Sequence, residues 1–458
     1  MLIGFLVTSF LRRNEPELFD SMEDHFKYGS FGSEARAGVP DRLWRVLPEV
    51  FPDLLPEGPG SGYERFGFLY EEGRSRPIGT SFREQPVGLI GLNCAVCHVG
   101  TVRDSPESKP QIVLGMPANQ FDLQKYLNFL RAVVKDERFS PDKLMTAIEK
   151  DGPDMPWWEG LLYRYVVIPK AEDSLQDVDK DFEWMDSRPE WGPGRVDTFN
   201  PYKVLFEFDM DKDETVGTSD LPPIWNQRQK AGMDLHWDGN NSSVSERNKS
   251  AAIGSGASEE SLDLESMKRI EDWILDLSPP AFPSEHIDRS RAARGTRIYE
   301  AECASCHAFD GAEVGNVEPI NEIGTDRERL DSFTSELVGK MNTLGSGRSW
   351  EFSHFKKTEG YANMPLDGLW LRAPYLHNGS VPTLRSLLFP EERPATFTRN
   401  YNVYDFVNAG FVSSGAEAEK LGFTFDTKLR GNSNVGHIYG AVLTPEEKLD
   451  LLEFLKTL

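Results

Sequence analysis

Cysteine is nearly absent from this chain of 458 residues. There are four, and all fall in "GLNCAVCHVG" (91–100) and "AECASCHAFD" (301–310). That excludes a disulfide-stapled scaffold and leaves no spare thiol. Positive charge is also short: 50 Lys and Arg stand against 74 Asp and Glu, a formal net charge of −24. A surface so negative repels nucleic acid and anionic lipid, which sets both aside as partners. Partners with a positive face, such as a small electron-donating redox protein, are favoured. Long apolar runs are missing as well. The opening "MLIGFLVTSFL" gives way to Arg12 and Arg13 and is too short to span a bilayer. It lacks the positive start and small-residue cleavage site of a secretory signal. Residues 1–13 read as an export-signal remnant, which could anchor the chain, or as a first core helix. No strand-rich region stands out, so the expected class is mainly α.

Along the chain, residues 14–90 are rich in Gly and Pro with scattered aromatics, which predicts a loop-rich N-terminal extension over 1–85. Apolar residues at helical spacing (Phe121, Tyr126, Phe129, Leu130, Val133) predict a helix within 119–139. Ser140 and Pro141 then read as the cap and first residue of another. Residues 171–220 are strongly acidic and read as solvated. Amphipathic helices are expected over 261–277, 289–302 and 444–458, the last capped by Thr444 with Pro445 behind it. The Pro-rich 278–288 reads as a linker between one domain over 86–280 and another over 286–458.

Two cysteines at i and i+3 with histidine next are the attachment signature of c-type haem. Each thiol adds to one haem vinyl group as a thioether, and the adjacent imidazole reaches the iron. A zinc site or a redox dithiol would not need a histidine directly after both pairs. The expectation is two covalently attached haems, on Cys94, Cys97 and His98 and on Cys303, Cys306 and His307. Haem c is attached outside the cytoplasm, so the protein is expected to be periplasmic or secreted. Each half also carries an aromatic-Asx-Gly turn, "LHWDGNNSSV" (235–244) and "YLHNGSVPTL" (375–384), then a closing helix. Aligned on Gly239 and Gly379, Trp237 meets His377 and Asp238 meets Asn378. Such a repeat implies two copies of one domain, the first with a long insertion.

A haem with two protein ligands transfers electrons, and one with an open position binds oxygen or peroxide. For the second haem three sixth ligands lie downstream of His307: Met364, His377 and His437. For the first, no ligand is comparably placed. Trp237 can act as an electron relay or as a buried core aromatic. The run "DMDKDETVGTSD" (209–220) has acids at positions 1, 3, 5 and 12 like a calcium loop, but Glu214 stands where glycine is expected.

The two CxxCH segments, "HWDG" and "PYLHNGSVPTL" together resemble the bacterial dihaem cytochrome c peroxidase superfamily. The resemblance implies two fused cytochrome c-like domains with haems facing one interface and Trp237 between them. The phrases "GLNCAVCHVGTVR", "PYLHNGSVPTL" and "NSNVGHIYG" look most like the rubber oxygenase group, exported dihaem enzymes that cleave polyisoprene double bonds with oxygen. By that resemblance His98 is the sole axial ligand of the first haem, His437 joins His307 on the second, and His377 structures the haem interface.

There are departures. The superfamily motif begins with Phe, and here His236 stands in its place. The peroxidases carry a distal glutamate after this motif. Here the region is "AAIGSGASEE", where Glu259 or Glu260 could serve, while Ala251, Ala252 and Ile253 would suit an apolar oxygen pocket. The expected activity is therefore an oxidoreductase of oxygenase or peroxidase type, acting with oxygen or hydrogen peroxide. A hydrophobic organic substrate fits the oxygenase form. The rival from another class is a pure electron carrier, with His25 or His236 as a second ligand on the first haem.

Overall fold

The aromatics scattered through the opening Gly- and Pro-rich stretch gather into one core. Trp44 stacks on Tyr63 at 3.9 Å between ring centroids, and Phe66, Phe68 and Phe121 pack around them. The computed structural model describes residues 15–84, 87–152 and 154–458; the expected export remnant at 1–13 lies outside them. The chain is mainly helical, 42% helix against 12% strand, as expected for a c-type haem protein with many loops. It forms two units by packing, each assembled from three segments. The first gathers 1–97, 121–187 and 249–270, the second 98–120, 188–248 and 271–458.

In the first unit helix Leu123–Val133 turns Tyr126, Phe129, Leu130 and Val133 inward, with Asp122 capping it through Lys125 N at 3.0 Å. Helix Asp41–Val50 supplies Trp44, whose indole donates to the Tyr126 hydroxyl at 3.0 Å. One feature was not foreseen here. Residues 15–92 contain a four-stranded antiparallel sheet, whose central hairpin pairs Thr80–Glu84 with Gly88–Leu92. Its outer strands, Glu15–Pro16 and Val39–Pro40, have two residues each. Strands this short show no alternation among glycines and prolines.

The second unit is organised by two helices, Arg289–Glu302 and Pro445–Leu455. Asp288 caps the first, and Thr444 with Glu447 forms a capping box on the second. They cross closely at Gly295, where any Cβ would lie 2.1 Å from the Asp450 carbonyl oxygen. The crossing is clamped by Arg294, which donates to Asp450 Oδ2 at 2.6 Å. The acidic stretch is exposed over most of 172–186, as expected, but not around its two strands. Strands Arg195–Asp197 and Thr218–Asp220 pair antiparallel, and Arg195, Asp197, Lys203 and Asp220 are all buried. Each acid there finds a cationic or main-chain partner, which permits burial.

The internal repeat is visible in the backbone. Gln227–Lys230 and Leu369–Arg372 are both 3-10 turns. Each leads to a left-handed residue, His236 (φ 65°) or Leu376 (φ 69°), then to a left-handed glycine, Gly239 or Gly379 (both φ 64°). Leu235 N bonds Asn241 O and Tyr375 N bonds Val381 O, both at 2.7 Å. Ser243 and Thr383 then cap the helices beginning at Val244 and Leu384 through their hydroxyls. Among the described residues no helix is long and apolar enough to cross a membrane.

Candidate functional site: the two CxxCH segments

Each CxxCH segment closes a single turn of helix, Ala95–His98 and Ala304–His307. In the first unit Asn93 starts the turn, its Oδ1 accepting Ala95 N at 3.0 Å and its Nδ2 donating to Gly29 O. Gly79 lets the chain pass, since a Cβ there would lie 2.4 Å from Val96 Cα. In the second unit Cys303 ends the long helix, and its carbonyl accepts both Cys306 N and His307 N. None of the four sulfurs is in a disulfide.

The two histidines are oriented alike. His98 Nδ1 lies 2.9 Å from Pro222 O, and His307 Nδ1 lies 2.8 Å from Met364 O. Both carbonyls precede a proline, Pro223 and Pro365. A carbonyl can only accept, so Nδ1 carries the proton and Nε2 keeps its lone pair for a metal. Burial, aided by the charge of Arg247, pushes His98 down to about 3, and burial lowers His307 as well. Neutral imidazole is the form that coordinates iron.

His437 stands across from His307, with ring centroids 6.2 Å apart and planes tilted by 43°. Two imidazoles each bound at about 2 Å to one metal atom between them have centroids roughly 6 Å apart, so the pair fits a haem iron. His437 is fixed by main-chain bonds. Its N–H donates to Ile323 O at 2.7 Å, and Arg393 bonds the carbonyls of Asn434 and Gly436. Its backbone is left-handed (φ 46°), and its Nδ1 is buried without a partner. Burial, with the neighbouring His307, lowers it to about 4.

The other sixth-ligand candidates are placed differently. Met364 presents its carbonyl to the Nδ1 side of His307. His377 stacks on Tyr361 at 3.9 Å, with Nε2 3.0 Å from the phenol oxygen. The Tyr361 hydroxyl in turn donates to Asp326 O at 2.6 Å. Trp237 is half-buried, and its indole N–H donates to Asp220 O at 2.7 Å. The Asp220 carboxylate is buried against Arg399, at 2.9 and 3.1 Å, with Arg195 3.5 Å away.

His236 has a buried Nε2 without a hydrogen-bond partner, and burial with the charges of Arg247 and Arg329 holds it well below its ordinary value. In the first unit His25 is buried and its Nε2 lies 3.1 Å from Ser266 Oγ. Of the small residues expected to form an apolar pocket, Ala252 and Ile253 are buried and Ala251 is exposed. Glu259 and Glu260 follow their helix, which ends at Gly254. The acids of 209–220 do not converge. Asp213 is held by Lys203 at 2.7 Å, Asp209 by Lys212 and Asp220 by Arg399. Among the described residues no group of three or more potential ligands is gathered as a metal cage, and the calcium reading gains no support.

Sequence reasoning missed the acceptors at Pro222 and Met364, as well as Asp220, Tyr361 and Arg393. One signal was available, since each repeat carries an X-Pro step ahead of its 3-10 turn.

These features resemble those of a c-type cytochrome, and the comparisons support that class through matches in the C-terminal part of the chain. Residues 290–349 match the family described as cytochrome c oxidase, cbb3-type, subunit III, and residues 360–398 match the family described as RoxA-like, cytochrome c-like. The first match spans Cys303, Cys306 and His307, and the second spans Tyr361, Met364 and His377. Such domains carry covalently bound haem c with its iron. Two relatives from Sinorhizobium fredii (strain NBRC 101917 / NGR234) are similar. Uncharacterized protein y4iJ is 26% identical over 91% of this chain and 88% of its own length. Uncharacterized protein y4iM is 27% identical over 52% of this chain and 64% of its own length.

Proposed function

We propose that this chain is an exported dihaem c-type oxidoreductase, with one haem domain over 86–280 and another over 286–458. The observation that carries the reading is the facing of His307 and His437 at 6.2 Å, set against a differently furnished His98. Haem c at the two segments supplies the redox chemistry: oxygen or peroxide activation at the first, electron passage at the second. His307 and His437 would together hold the second group, which would suit it to electron transfer. Three other imidazoles of the second unit are committed elsewhere. His286 stacks on Phe406 at 4.2 Å, His354 bonds Glu246 at 2.5 Å, and His377 lies on Tyr361. This supports His98 as the one histidine that would hold the first group. Trp237, held through its indole N–H, is the relay between them.

An oxygenase would take a hydrophobic organic substrate. Peroxidase chemistry is the near alternative and needs a protonatable group such as Glu259. In either case the electron donor is a small redox protein with a positive face. A second reading, a non-catalytic electron carrier, is favoured by the unpartnered buried Nε2 of His236, which would then ligate the first group. Low-temperature EPR on protein of measured haem content tests these readings. One high-spin and one low-spin ferric signal are expected, or an optically detected ferrous oxygen-bound form in place of the first. Two low-spin ferric signals, unchanged on half-reduction, would leave only the electron carrier.

A further inference from the structure

In the first unit, helix Trp157–Leu162 continues through a π turn, Tyr163–Val167, into helix Ile168–Asp181. π turns are rare and concentrate at functional sites. Tyr163, Val167 and Ile168 point inward and are buried. The outward face is apolar. Trp157 is 78% exposed, Tyr165 70%, Leu161 48%, Trp158 42% and Val166 41%. The ionic groups within this stripe are already neutralised: Arg42 holds Glu159 at 2.9 Å, and Asp142 holds Arg164. Aromatic side chains carry roughly 150–250 Å² each, so the stripe presents on the order of 500 Å² of apolar surface. That is as large as the largest patch on a typical monomer, and such patches are commonly binding surfaces.

We infer that this stripe docks on the same stripe of a second copy of the chain, as an antiparallel helix pair about a two-fold axis. Two such faces cover on the order of 1,000 Å², where specific association begins. The stripe is also self-complementary. With the axis at Leu161–Leu162, Trp158 meets Tyr165 of the second copy and Trp157 meets Val166. The same register brings exposed Asp154 opposite Pro169, one residue from exposed Lys170, at both ends of the contact. A two-fold contact requires this reciprocity, each residue meeting the one that meets it. A lipid surface fits less well. Interfacial helices carry Lys and Arg on their polar face, whereas the helix continuing this stripe carries Glu172, Asp173, Asp177, Asp179 and Asp181.

Sedimentation velocity on the full haem-loaded chain tests the contact, which is independent of the haem reading. Wild type should sediment with twice the chain mass, and Trp157→Ser with Tyr165→Ser should sediment as a monomer with unchanged haem content. Asp154→Lys alone or Lys170→Glu alone should weaken the dimer about tenfold by placing like charges at both ends, and the two together should restore it. A wild type that stays monomeric up to its solubility limit overturns the inference, as does a dimer indifferent to the serine pair. A monomer that floats with phosphatidylcholine vesicles only when Trp157 is intact overturns it in favour of a lipid surface.

Discussion

Trp237 and His377, equivalent positions of the internal repeat, are tied to the main chain of one residue. The Trp237 indole donates to Asp220 O at 2.7 Å, and Asp220 N donates to His377 O at 2.9 Å. The repeat has thus kept a position while dividing its work, with an indole in one copy and an imidazole stacked on Tyr361 in the other. Asp220 is fixed by Arg399 and Arg195, so the Trp237 side chain and the His377 main chain are referred to one rigid point.

Gly379 shows how little slack that point has. A Cβ there would lie 2.2 Å from Asp220 Oδ1 and 2.3 Å from Arg399 Nη1, on a backbone at φ 64°. Gly379→Ala should cost roughly 2–5 kcal/mol, the sum of left-handed strain and overpacking. Gly347→Ala, also left-handed but with nothing within 4 Å, should cost about 1–2 kcal/mol. Denaturant unfolding of the two variants checks the difference.

Haem attachment should separate cleanly by segment. Replacing Cys303 and Cys306 with alanine should halve the haem per chain, and replacing Cys94 and Cys97 should do the same. Haem content by pyridine haemochrome reads this directly.

His437→Ala should leave haem content unchanged and convert the low-spin ferric signal of the second haem to high spin. A low-spin signal persisting in this variant would move the sixth ligand elsewhere.

Glu246 gives a pH dependence. Burial works against its charge, but the His354 ring and the Ser353 and His354 main chain outweigh this and hold its carboxyl below the ordinary value. A lowered acid contributes stability above its unfolded-state pKa and loses it as pH falls through the folded one. Glu246→Gln should therefore be less stable than wild type at neutral pH. The gap should close below the ordinary glutamate value of about 4.3. Thermal unfolding across pH follows it.

Much of this was legible in the sequence where the signal is local. Helix Arg289–Glu302 and the Thr444 cap come directly from spacing and cap residues. The CxxCH segments and the paired turns are contiguous motifs. What escaped depends on distant partners. The position of His437 rests on Ile323 and Arg393, and the burial of the acidic stretch rests on Arg399 and on its own lysine. The N-terminal sheet escaped because its strands are too short to carry a pattern.

The Pro222 and Met364 acceptors have a hereditary consequence. Each CxxCH histidine takes its orientation from a main-chain oxygen, and every amino acid supplies one. A point mutation at either position can change the side chain but cannot delete the acceptor. The following proline, which disfavours helical backbone in the residue before it, keeps that oxygen from being drawn into a helix. The tautomer of each ring is therefore insulated from drift at these sites, and close relatives can vary in sequence there without altering the imidazole's chemistry.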